Sequence, residues 1–171
     1  EEPQLAYSMS IKKLSPEYMA GFIDGEGHIG IVLRSKRNAD DGYMPVLTVC
    51  NTDQRVLRSM WDTLGIGRWV EVPNINHYTG RPTLYRLIVT RAEALKDVLE
   101  ILIPHLVIKQ KQAELVLRFL NSRLERRGRL RPNVDYRGTS PPYSKKEIAI
   151  YRRLETMMPR GHKNRRYQKS P

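Results

Sequence analysis

The chemistry-bearing stretch of this 171-residue chain is Met19-Ala20-Gly21-Phe22-Ile23-Asp24-Gly25-Glu26-Gly27. It sets two carboxylates two residues apart and two glycines four apart, in a segment that begins as a helix. A glycine inside a helix costs about 1 kcal/mol relative to alanine, so Gly21 and Gly25 need a compensating role. Both lie on one helix face, where another backbone could approach closely. Asp24 and Glu26 stand about 200° apart around a helix, so they cannot jointly grip one ion while both are helical. Glu26, nearest the following strand, is the catalytic candidate. Asp24 is better placed to accept hydrogen bonds from backbone donors of a neighbouring helix. Two such helices packed through their glycine faces would bring two Glu26 carboxylates together, and like charges at short range need a compensating cation. Oxygen-ligated divalent metals such as Mg2+ suit that task, completed by water and substrate phosphate. Two such metals near a phosphodiester are the arrangement of metal-assisted hydrolysis. The plainer alternatives are a tight contact between helices of one chain at the glycines and a solvated carboxylate at Glu26.

Positioning such a tip requires a scaffold, and the pattern predicts one. Ser15-Pro16-Glu17 marks a helix start, with a Ser cap, Pro at the first helical position and an acidic first turn. A strand follows from His28 to about Arg37. Its apolar face is Ile29, Ile31 and Leu33, and its mixed face is His28, Gly30, Val32, Arg34 and Lys36. A second strand, Tyr43 to Cys50, turns Leu47 and Val49 inward and Met44, Val46 and Thr48 outward. Asn51 or Thr52 caps a helix with the apolar stripe Val56, Leu57, Met60, Trp61 and Leu64, closed by Gly65. Strands over about Gly67–Val72 and Thr83–Thr90 follow, carrying Arg68, Val70, Arg86 and Ile88 on the mixed face. The polar loop between them holds Asn74, Asn76 and Arg81. Thr90-Arg91-Ala92-Glu93 reads as a capping box opening a helix that Pro104 stops. A long helix spans about Ile108 to Arg126, and Ser144-Lys145-Lys146-Glu147 is a second capping box. The predicted fold is α+β, in the order α-β-β-α-β-β-α-α, with four strands in two hairpins and helices on one face. The polar, basic face left over suits a DNA groove, although a solvent-facing strand surface would show the same residues.

The charge is divided along the chain. Residues 1–108 net −1 and residues 109–171 net +13, so the whole +12 surplus lies in the last third. A basic excess of this size points to a polyanion, most often nucleic acid, with a solubilising basic tail as the alternative. The single cysteine excludes an intrachain disulfide framework, and four scattered histidines make a structural zinc site improbable. No apolar run reaches membrane-spanning length and the first residues lack a secretory signal, so the expectation is an intracellular protein, cytoplasmic or organellar.

The nine-residue stretch resembles the LAGLIDADG motif, with Met for the first Leu, Phe for the second, Gly for Ala and Glu for the final Asp. Ile108-Lys109-Gln110-Lys111-Gln112-Ala113 is similar to the Lys-Gln-Lys-Gln-Ala segment of single-motif homing endonucleases of that family. The resemblance covers roughly residues 14–125. It implies an N-terminal arm at 1–13, an endonuclease domain at 14–127 and a basic C-terminal extension with a short helix at 128–171. By the same resemblance, Glu26 and the backbone carbonyl of Gly25 bind the metal. Lys109 is the active-site lysine, Asn51 organises water and Arg55 is its basic partner. Gly21, Phe22, Asp24 and Gly25 form a homodimer interface. Double-stranded DNA is contacted by His28, Gly30, Val32, Arg34, Lys36, Met44, Val46, Thr48, Arg68, Val70, Asn74, Asn76, Arg81, Arg86, Ile88 and Lys111. The implied activity is that of an intron-encoded, Mg2+-dependent endodeoxyribonuclease cutting a long, near-palindromic site. Mn2+ or Ca2+ could substitute in binding, and no organic cofactor or membrane is expected. The alternative is an RNA maturase or DNA-binding regulator that keeps the fold without the nuclease.

Overall fold

Ser15 starts the first helix as its sequence dictates. Its side chain accepts from the Tyr18 amide, Pro16 occupies the first turn, and α1 runs Pro16–Glu26. This computed structural model describes residues 13–34, 42–72, 83–128 and 142–157. The remaining elements are β1 (Gly27–Arg34), β2 (Gly42–Asn51), α2 (Gln54–Leu64), β3 (Arg68–Val72), β4 (Leu84–Val89), α3 (Ala92–Leu102), α4 (Gln110–Gly128) and α5 (Lys145–Met157). A 3-10 turn, Ile103–His105, links α3 to the approach of α4.

The two hairpins join through β2 and β4 into one antiparallel sheet of order β1-β2-β4-β3. Ile29, Ile31, Leu47, Val49, Leu87 and Val89 point from the sheet into the core. Met19, Ala20 and Ile23 of α1, Leu57 and Met60 of α2, Leu95 and Leu99 of α3, and Val116, Phe119 and Leu120 of α4 meet them there. The α+β order, the four antiparallel strands and the helix-covered face therefore agree with the pattern predicted from sequence. Among the described residues no helix is long and apolar enough to cross a membrane.

Four local details differ from the sequence expectation. The cap of α2 is Asp53, whose carboxylate accepts from the Arg55 amide, rather than Asn51 or Thr52. The box at Thr90 does not form. The N-cap of α3 is Arg91, with no side-chain cap bond, because Thr90 still belongs to the end of the β4 path. Leu33, assigned to the apolar face, is 38% exposed at the far end of an edge strand. Val46 faces outward as assigned, yet is only 4% exposed, since it lies on a central strand with neighbours on both sides.

The second capping box does form, and reciprocally: Glu147 accepts from the Ser144 amide at 2.7 Å while the Glu147 amide donates to Ser144 Oγ at 3.2 Å. Glu147 is fully buried and also accepts from Arg126 Nη1 at 2.8 Å and Ser122 Oγ at 3.2 Å. Ile150, Tyr151 and Leu154 of α5 enter the common core. Arg123, 5% exposed, lays its guanidinium 4.3 Å from the Tyr143 ring centre. Part of the basic surplus thus serves the fold. Arg126, part of the basic surplus of the last third, is paired with a buried carboxylate.

Candidate nucleic-acid interface and catalytic tip

Glu26 is the last residue of α1 and Gly27 the first of β1, so helix and strand meet with no loop between them. Gly27 makes the junction possible. A Cβ there would stand 2.7 Å from the Ile23 carbonyl oxygen, and the Gly27 amide donates to that same oxygen. Nothing in the type of residue alone marks Gly27 for this role. Its signal was its place directly after the acidic tip.

The two acids of the tip have different surroundings. Asp24 is 8% exposed, and its carboxylate accepts from the amides of Val107 at 2.7 Å, Lys109 at 2.9 Å and Ile108 at 3.1 Å. These are the free donors ahead of α4, so Asp24 caps that helix from another part of the chain. Burial pushes its carboxyl upward, but the three amide bonds and the Lys109 charge outweigh it and hold the group below the usual carboxylate range. Lys109, half-buried, donates its Nζ to the backbone carbonyl of Asp24. Glu26, by contrast, is exposed. The structure therefore gathers Asp24, Gly25, Glu26 and Lys109 at one tip. Among the described residues no group of three His, Cys, Asp or Glu side chains gathers to hold a metal.

Asn51 and Arg55 are engaged locally. Asn51 Oδ1 accepts from the Asp53 amide at 2.8 Å. Arg55 grips Asp53 with Nε at 3.0 Å and Nη2 at 2.6 Å, and that grip lowers the Asp53 pKa to about 2.

The glycine face of α1 is open. Gly21 and Gly25 are exposed, and a Cβ at either would meet nothing within 4 Å, so the helix contact within one chain considered as the alternative is absent among the described residues. Beside it Tyr18, 52% exposed, stacks on the half-buried Phe22. Val107 and Ile108, held to the tip through Asp24, are 84% and 75% exposed. This apolar pair was not singled out from sequence, because it directly precedes a polar helix start and looks like the end of a core run.

On the face of the sheet away from the core, His28, Val32, Met44, Val46, Thr48, Arg68, Arg86 and Ile88 line one concave cavity of about 470 Å3, together with Thr90. Gly30 pairs with Val46, and Val70 with Arg86, so both belong to the same face. Arg34 pairs with Gly42 at the far end of β1. Lys111 is exposed on the first turn of α4. Lys36, Asn74, Asn76 and Arg81 lie outside the described residues.

No protein-family profile matches the chain, and no curated protein matches it. Solved structures do. An archaeal intron-encoded homing endonuclease, I-Vdi141I, complexed with DNA, superposes with a TM-score of 0.64 at 21% identity over 87% of each chain. The homing endonuclease I-CvuI, solved in complex with its target in the presence of Ca, gives 0.54 at 20% identity over 82% of this chain and 94% of that one. The meganuclease I-SmaMI, bound to uncleavable DNA, gives 0.60 at 16% identity over 88% of this chain but 46% of its own.

Proposed function

We propose, from the premise that this chain has the LAGLIDADG homing-endonuclease fold, that it is a site-specific DNA endonuclease acting as a homodimer with a divalent metal. The observation that carries this reading is the division of labour at the tip. Asp24 is consumed by three structural hydrogen bonds, which leaves Glu26 exposed next to Lys109, one peptide from a basic reading face.

The donors fit a hard cation. The Glu26 carboxylate and the Gly25 carbonyl are oxygen ligands of the kind Mg2+ takes, with Mn2+ or Ca2+ as substitutes in binding. One chain offers a single exposed acid at the tip, so the partner's tip would supply the second. The open glycine face, flanked by Tyr18, Phe22, Val107 and Ile108, is the surface through which two copies would pack. That this chain spans under half of I-SmaMI fits a second unit supplied here by another copy. When bound, the metal would supply Lewis-acid polarisation of the phosphodiester. Lys109, steadied on the Asp24 carbonyl, places positive charge where charge develops on the phosphate. The concave sheet face would lie in the major groove, with Asn51 and Arg55 at the adjacent α2 start and Lys111 toward the backbone.

The test is to incubate the protein and Glu26→Gln with a DNA library and Mg2+ and sequence the ends. Cleavage by the parent and none by the variant is expected. No ends from the parent would sink the nuclease reading and, if DNA is still bound, leave a maturase or regulator of the same fold. Equal cleavage by both would sink the assignment of Glu26.

A further inference from the structure

The strand register arranges the concave face in rows. His28 pairs with Thr48, Thr48 with Ile88, and Ile88 with Arg68, so these four side chains cross the sheet in one line. The next line toward the end of β2 is Cys50, Arg86 and Val70. In the other direction come Gly30 with Val46, then Val32 with Met44. Because β1 leaves α1 at Gly27, the rows of His28 and Arg86 lie beside the acidic tip, and the row of Val32 and Met44 lies farther along. The near rows carry cations and hydrogen-bonding groups. The far rows carry the apolar Val46, Val32 and Met44, with Thr90 also lining the cavity.

One group in the near rows is unsatisfied. Arg86 is half-buried, and its Nε is inaccessible to water with no hydrogen-bond partner among the described residues. No acidic residue lines the cavity it faces. A desolvated guanidinium donor costs free energy unless something accepts from it. The cavity thus presents a guanidinium that no carboxylate of its lining neutralises, with apolar surface on one side of it.

Resting on the endonuclease reading above, we infer that Arg86 selects a guanine in the part of each half-site nearest the cut, while Val32 and Met44 favour thymine farther out. Guanine presents two acceptors, O6 and N7, to the major groove, matching a guanidinium, and thymine presents a methyl group. The separation follows from geometry. Along β2, Met44 lies six residues from Cys50, which shares the row of Arg86, so at roughly 3.3 Å each the two rows stand about 20 Å apart, the rise of about six base pairs. The selected half-site should therefore show guanine next to the centre and thymine about six positions outward.

The experiment is selection of bound DNA from a library randomised over the half-site, in Ca2+ so that no cleavage is required, for the parent, Arg86→Gln and Met44→Gln. For the parent, one inner position fixed as guanine is expected. Arg86→Gln should lose that preference by roughly tenfold and move it toward adenine, whose N6 and N7 suit a carboxamide. Met44→Gln should leave the inner guanine alone and relax an outer thymine. A guanine preference unchanged in Arg86→Gln would overturn the inference, as would weakening spread evenly over all positions, the mark of a phosphate contact. Circular dichroism melting of each variant separates misfolding from lost readout. The outcome is independent of whether the parent cuts, so failure of the nuclease reading and failure of this one are distinguishable.

Discussion

Asp24 and Glu26 are chemically near-identical and two residues apart, and their surroundings alone assign them different work. Asp24→Asn keeps shape but removes the charge that three amides solvate. We expect a loss of about 2 kcal/mol in urea unfolding, the scale of hydrogen bonds to a charged group, and a fall in cleavage rate because the Lys109 segment is no longer pinned. The separation of roles was legible in sequence from the angle between the two positions on a helix. The pairing of Arg55 was not. Asn51, Thr52 and Asp53 are all good helix caps, and only the end of β2 decides which one stands at the helix start. Asp53 won, and took Arg55 with it. Its carboxyl is depressed in the folded chain, so its contribution is present above the unfolded carboxylate pKa and is lost as pH falls through about 2. An NMR titration of the Arg55 amide should show that low midpoint. A midpoint near 4, the ordinary carboxylate value, would count against the cap.

At the scale of elements, two stretches of the same S/T-x-x-E pattern met different outcomes. At Ser144 the chain arrives with Pro142 and Tyr143 held by Arg126 and Tyr43 but with no strand ladder among the described residues to carry it past the cap position, and the reciprocal bonds form. At Thr90 it arrives from β4, whose pairing carries the backbone past the cap position before α3 begins at Ala92. Local pattern predicts a helix start well, and a neighbouring strand can move it by one residue. Glu147 shows what a cap can become when tertiary structure closes over it. It is an acid at zero exposure, held by Ser122, Arg126 and the Ser144 amide. Glu147→Ala leaves Arg126 only the Pro142 carbonyl and removes the α5 cap, so a loss of about 2 kcal/mol is expected in denaturant unfolding. Proteolysis should then begin near α5. The sequence showed the box but not the burial, because burial depends on α4 lying alongside.

For the whole molecule, the expectation that matters most is assembly. The glycine stripe of α1 is open in the single chain, so a larger side chain there costs the monomer nothing sterically. Gly21→Leu should raise monomer stability at dilution by up to about 1 kcal/mol through helix propensity. It should also abolish the dimer in sedimentation velocity and abolish double-strand cutting. Loss of both fold and dimer together would argue that the stripe faces its own chain. Charge was the least resolved signal at this scale. Net charge located the surplus in the last third of the sequence but could not say that Arg123 and Arg126 would be spent on Tyr143 and Glu147, since those contacts form only when α5 folds back on α4.

The missing loop between Glu26 and Gly27 sets a ruler into the protein. The tip proposed to cut and the strand proposed to read are joined by one peptide bond and braced by the contact of Gly27 with Ile23. The offset between the broken bond and the first base read is then a constant of the backbone, untouched by which side chains stand on the sheet. Descendants of this chain can adopt new target letters one row at a time, yet every such target keeps the same spacing about its centre.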